Sequence, residues 1–119
     1  MSVGQSADSY NIDILETMVR RCHAPDDPQV LYTYLQLIDS LANNNNKTTD
    51  QQFSLGQRAA EILYECAKDE NLPNHYRVLT LDNIYIPIRL MSEKADTLNK
   101  KGVLLNLRYR LSALVHNFN

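Results

Sequence analysis

Apolar residues recur at three- and four-residue intervals in successive stretches of this 119-residue chain, and that period predicts amphipathic helices. The clearest run is Leu104, Leu107, Leu111, Leu114 and Phe118, an alternation sustained over two heptads. The punctuation agrees with it. Three glycines and four prolines are too few for a sandwich or barrel of many short strands, which needs a turn every few residues. With 44% hydrophobic and 22% charged residues the chain is too apolar for disorder, and its length provides one core rather than two.

The N-terminal stretch 1–10 is small and polar and reads as a flexible tail, leaving 11–119 as a single helical domain. A first helix is expected from Asn11 to Cys22, with Ile12, Leu15, Met18, Val19 and Cys22 on its inner face. Asp27 and Pro28 then supply an N-cap and first-turn pair for a second helix over about 28–43. That helix leaves a thin polar stripe of Gln29, Thr33, Gln36 and Ser40, so it is expected at the centre of the fold. The Asn-rich loop 43–49 follows, and Thr49 or Asp50 is expected to cap a third helix ending near Lys68. In that helix Gly56, Ala59 and Ala60 would admit a close neighbour. Its acidic end, Asp69-Glu70, opposes the helix dipole.

A fourth helix is expected from Asn74, with Val78, Leu81, Ile84, Tyr85, Ile88 and Met91 inward. Pro87 lies within it, lacks an N–H and has its ring against the carbonyl of Asn83, which predicts a kink. The composition of Ile84–Ile88 also suits a strand, but the helical period continues through it. Asp96 or Thr97 opens the last segment, whose first turns Gly102 is expected to interrupt. The predicted fold is therefore all-α, a single domain of about five antiparallel helices.

Two stretches, Val30–Leu41 and Leu104–Val115, each an aliphatic helix ending in a small residue and a leucine, resemble the inner helices of HEAT and armadillo-type repeats. The resemblance covers about a fifth of the chain, and no ladder of repeated positions accompanies it. It implies a short HEAT-like helical array as the alternative to a bundle, and a scaffold that binds rather than catalyses.

Net charge is −2, but unevenly placed. Residues 1–70 carry five Lys/Arg against eleven Asp/Glu, net −6; residues 71–119 carry seven against three, net +4. No stretch approaches the roughly 20 apolar residues of a membrane helix. The first eight residues have neither a basic nor an apolar leader region, so an intracellular chain, in cytoplasm or nucleus, with free thiols is expected.

Catalytic and metal patterns are sparse. Cys22, His23, Cys66, His75 and His116 lack the paired spacing of a zinc site, and no metal or other cofactor is expected. A Cys66–His75 pair would have Glu65, Asp69 and Glu70 around the thiol, which disfavours a thiolate. Phosphate loops and nucleophile elbows are missing, so the chain reads as no enzyme. Its seven tyrosines and no tryptophan direct attention to interfaces, where Tyr32 and Tyr109 are the candidate exposed anchors.

The expected function is a non-catalytic protein–protein interaction module, an adaptor or subunit of a larger complex. Candidate binding residues are Tyr32, Lys100, Lys101, Arg108, Tyr109 and Arg110. Arg108 and Arg110 diverge on a helix, whereas Lys101 and Arg108, two turns apart, share a face. Self-association through the seam Leu104–Phe118 is one form of the reading. The alternative is a nucleic-acid-associated module using the basic half.

Overall fold

A computed structural model describes the backbone of residues 3–118 and the side-chain surroundings from Asn11 to Phe118. Among the described residues the chain is all-α: α1 (Val3–Arg20), α2 (Gln29–Ala42), α3 (Thr49–Lys68), α4 (Asn74–Asn83), α5 (Tyr85–Lys94) and α6 (Leu98–Phe118). Helix α4 and helix α5 are one interrupted run, giving the five helices expected. The break falls at Ile84, beside the Asn83 carbonyl that Pro87 has no N–H to bond.

Local chemistry sets the helix ends. Helix α1 begins at Val3 instead of Asn11, so the expected tail is helical from its third residue, while Met1 and Ser2 lie outside the described residues. The helix stops at Arg20 because Cys22 adopts a left-handed φ of 54°. The Cys22 N–H donates to Val19 O (3.2 Å) and the His23 N–H to Met18 O (3.0 Å), a Schellman turn with cysteine where glycine is usual. Asp27 Oδ1 accepts from the Gln29 N–H at 3.0 Å, and Pro28 is already helical, as the Asp-Pro pair predicts. Thr48, not Thr49 or Asp50, caps α3: its Oγ1 accepts from the Gln51 N–H while Gln51 Oε1 accepts from the Thr48 N–H. At the far end Asp69 Oδ1 accepts from the Asn71 N–H (2.9 Å), so this carboxylate turns the chain despite opposing the dipole.

Helix α3, rather than α2, is the hub, and it meets all five other helices. Its closest partner is α5. A Cβ on Gly56 would sit 3.0 Å from the Pro87 carbonyl oxygen and 3.0 Å from Met91 Cγ, so the crossing needs the missing side chain. Ala59 and Ala60, also fully buried, extend the same thin face. Centrality follows from how near the backbones can come. The larger aliphatic surface of α2 is instead partly spent at half-buried Val30, Leu37 and Leu41.

The molecule is a plate, 46 × 34 × 15 Å along its principal axes. Its core joins Ile12, Val19, Leu31, Tyr34, Leu63, Met91 and Leu107. The inner face of α4 differs from expectation: Tyr76 and Thr80 are buried, whereas Val78 and Tyr85 are exposed and Leu81 is half-buried. Polar tips explain this. The Tyr76 hydroxyl donates to Val19 O (2.7 Å) and the Thr80 hydroxyl to Arg77 O (2.8 Å), so neither polar atom is buried unpaired.

Candidate functional site

Thr97 Oγ1 accepts from the Lys100 N–H at 3.1 Å and starts α6, which then runs unbroken through Gly102. The helix is fastened at three levels. Leu104 and Leu107 are buried against the core, followed by half-buried Leu111, Leu114 and Phe118. Arg110 forks onto Glu61 of α3 (3.0 and 2.6 Å), donates through Nε to Asn106 Oδ1, and lies 5.0 Å from the Tyr64 ring centre. Near the C-terminus the Phe118 ring covers the guanidinium of Arg77, 4.6 Å from its centre, while Arg77 Nε donates to Ala67 O at the end of α3. The leucine seam is thus used inside the fold and is not a free docking face.

These contacts divide the basic residues proposed from the sequence. Lys100 lies between Asp50 and Asp96, the latter at 2.6 Å, and its side chain is only 12% exposed. The hydrogen bonds it donates to Asp50 and Asp96 hold its ammonium above the usual lysine range, and the second of them holds Asp96 below the carboxylate range. Glu61 likewise raises Arg110. Both cations are thus already paired, Lys100 with Asp50 and Asp96 and Arg110 with Glu61. Lys101 and Arg108 are exposed, and among the described residues neither has an ion-pair partner.

Tyr109 is 75% exposed, as expected, and it has company that the sequence reading missed. Leu98 is 88% exposed and Leu105 69%, with Gly102 between them. Leu98, Gly102, Leu105 and Tyr109 follow a four-three-four spacing, a second apolar seam on the side of α6 away from the core. In heptad terms Lys101 and Arg108 occupy one flank of that seam and Asn99 and Asn106 the other. A Cβ on Gly102 would meet nothing within 4 Å, so the seam has a hollow at its middle. An open groove of about 480 Å³, lined by Gln57, Glu61, Leu98, Gly102, Val103 and Asn106, runs beside it between α3 and α6. The visible sign was in the sequence, but the stronger inner seam of the same helix masked it.

Tyr32 belongs elsewhere. It lines a groove of about 470 Å³ with Leu35, Asp39, Tyr85, Ile86 and Arg89, between α2 and α5, and no residue of α6 takes part.

The cysteines and histidines are dispersed. Cys66 is buried, its Sγ 3.7 Å from Val19 O, and burial pushes the thiol up to about 12, with Asp69 and Glu65 adding to it. Burial also raises Cys22, with Asp26 contributing. His75 turns away to Pro25 O (3.1 Å) and Asp26 Oδ1 (3.0 Å). Among the described residues no group of three or more His, Cys, Asp and Glu side chains is arranged to hold a metal, and no helix is long and apolar enough to cross a membrane. No protein family, curated protein or solved structure matches the chain.

Proposed function

We propose that this domain is a non-catalytic protein–protein interaction module whose docking face is the outer seam of α6. One observation carries the reading: Leu98, Leu105 and Tyr109, 88%, 69% and 75% exposed, line up on one side of a helix whose opposite side is anchored in the core. A single exposed leucine is ordinary, but three large apolar side chains in heptad register leave a ridge that water covers at a cost. Burying such a side chain is worth about 1.5–3 kcal/mol, enough for a handful of anchors to hold a partner.

The nucleic-acid alternative retains Lys101 and Arg108 but loses Lys100 and Arg110 to Asp50, Asp96 and Glu61. Two cations flanking an apolar ridge suit a protein surface better than a phosphate backbone.

The test is affinity capture with quantitative mass spectrometry, comparing the wild type with Gly102→Gln and Leu105→Asp. Gly102 has room for a side chain, so Gly102→Gln blocks the seam without disturbing the fold. Proteins enriched on the wild type and lost from both variants support the reading. An identical set on all three excludes this face.

A further inference from the structure

The charge arrangement on α6 points to a specific class of occupant. We infer that the outer seam receives an acidic amphipathic helix from another protein; this rests on the docking reading above.

Shape comes first. From Leu98 to Tyr109 the seam spans about 16 Å at 1.5 Å per residue, roughly three turns of a helix lying alongside. Leu98 and Leu105 are ridges, Tyr109 closes one end, and Gly102 leaves a hollow with nothing within 4 Å of an added Cβ. In a two-helix seam such a hollow accepts one large apolar knob from the facing helix. The four-three-four spacing is the spacing of a helical partner.

Charge then selects among helices. Helix α6 contains Lys100, Lys101, Arg108 and Arg110 and no acidic residue. Asp50 and Asp96 take Lys100 and Glu61 takes Arg110, leaving Lys101 and Arg108 seven residues apart on one flank of the seam. Asn99 and Asn106 form the other flank. A second copy presenting the same seam supplies no carboxylate. Antiparallel, it sets Lys101 and Arg108 against their own kind; parallel, it sets them against Asn99 and Asn106. A facing helix with Glu or Asp beside its apolar stripe satisfies both cations, and only on one side, which fixes its orientation.

The probe is a pair of fluorescein-labelled helical peptides of three heptads. They share a leucine seam, one carrying Glu at every flanking position and the other Lys. Fluorescence anisotropy is read with the full chain at low and at moderate salt. The wild type is expected to bind the Glu peptide at least about tenfold more tightly than the Lys peptide, with the preference shrinking as salt rises. The double substitution Lys101→Glu, Arg108→Glu reverses the preference. Gly102→Gln loses binding to both peptides at a melting temperature no lower than the wild type's.

Equal affinity for the two peptides, or no binding of either, overturns the acidic helix. Concentration-dependent dimerisation in sedimentation that Leu105→Asp abolishes also overturns it, in favour of a second copy, and leaves the docking face standing. The capture experiment separates the two levels: if Gly102→Gln changes the partner set while neither peptide binds, only the occupant class is wrong. If the partner set is also unchanged, the face itself is wrong.

Discussion

The Tyr34 hydroxyl donates to Glu16 Oε2 at 2.7 Å, joining α1 to α2 inside the core. The same carboxylate accepts from Arg58 of α3 through Nε (2.6 Å) and Nη2 (2.7 Å), and Arg58 also reaches Asp13. Three helices therefore meet on one nearly buried acid, and each of its partners is raised by it: Tyr34 by burial first and then by Glu16, Arg58 by its hydrogen bond to Glu16. The apolar period of α1 puts Glu16 on the inner face, four residues after Ile12 and three before Val19, but does not say what satisfies a carboxylate there. Its neutralising partners come from positions 34 and 58, and only folding assembles them.

This knot predicts a measurable coupling. Tyr34→Phe removes one hydrogen bond to a charged acceptor and is expected to cost about 1.5–3 kcal/mol. Glu16→Leu is expected to cost as much or more, because it strands the buried Tyr34 hydroxyl, while Arg58, 42% exposed, recovers water and Asp13. Urea unfolding of the two single variants and the double should give a coupling of about 1–3 kcal/mol; additivity would mean the contact contributes nothing.

Gly56 and Gly102 should respond oppositely to alanine. Gly56→Ala gains helix propensity but drives a Cβ to 3.0 Å from the Pro87 carbonyl and Met91 Cγ, so a net loss of about 1–3 kcal/mol is expected. Gly102→Ala meets open space and should gain about 0.5–1 kcal/mol. Thermal melts of both variants check the sign of each.

Cys22 holds a left-handed φ of 54° that costs a non-glycine residue about 1–2 kcal/mol. Cys22→Gly relieves that cost, offset by the entropy glycine loses and the packing the half-buried thiol provides. A net stabilisation of about 0.5–1 kcal/mol is expected, read as a raised melting temperature. A lowered one would mean the side-chain packing dominates.

Alkaline stability should track Cys66. Burial raises its pKa from the ordinary 9.0 to about 12, so above 9.0 the unfolded chain releases a proton that the folded chain keeps. Stability is then present in full below about pH 9 and declines as pH rises toward 12. In the Cys22→Gly background, adding Cys66→Ala should flatten that decline between about pH 9 and pH 10, before the tyrosines titrate. A disulfide reagent should label Cys66 only at the rate of unfolding. Rapid labelling of Cys66 in the native protein would contradict its burial.

The all-helical class, the Asp27-Pro28 start of α2, the break before Pro87 and the small face of α3 were legible in the residues. Each depends on local periodicity, on a capping side chain or on a missing atom, all of which lie within a few positions of one another. The caps of α3 and the C-terminus of α1 were harder. Neighbouring Thr48, Thr49 and Asp50 are all capable caps, and a left-handed cysteine has no compositional mark.

Tertiary structure decided the rest because it concerns pairs distant in sequence. Tyr76 turns inward because its hydroxyl finds Val19 O of another helix, which a hydropathy pattern does not register. Lys100 and Arg110 look as available as Lys101 and Arg108 until Asp50 and Glu61 are brought against them from α3. The two seams of α6 have the same spacing in the sequence. Only packing shows that Leu104 and Leu107 are spent on the core, while Leu98, Leu105 and Tyr109 still face water.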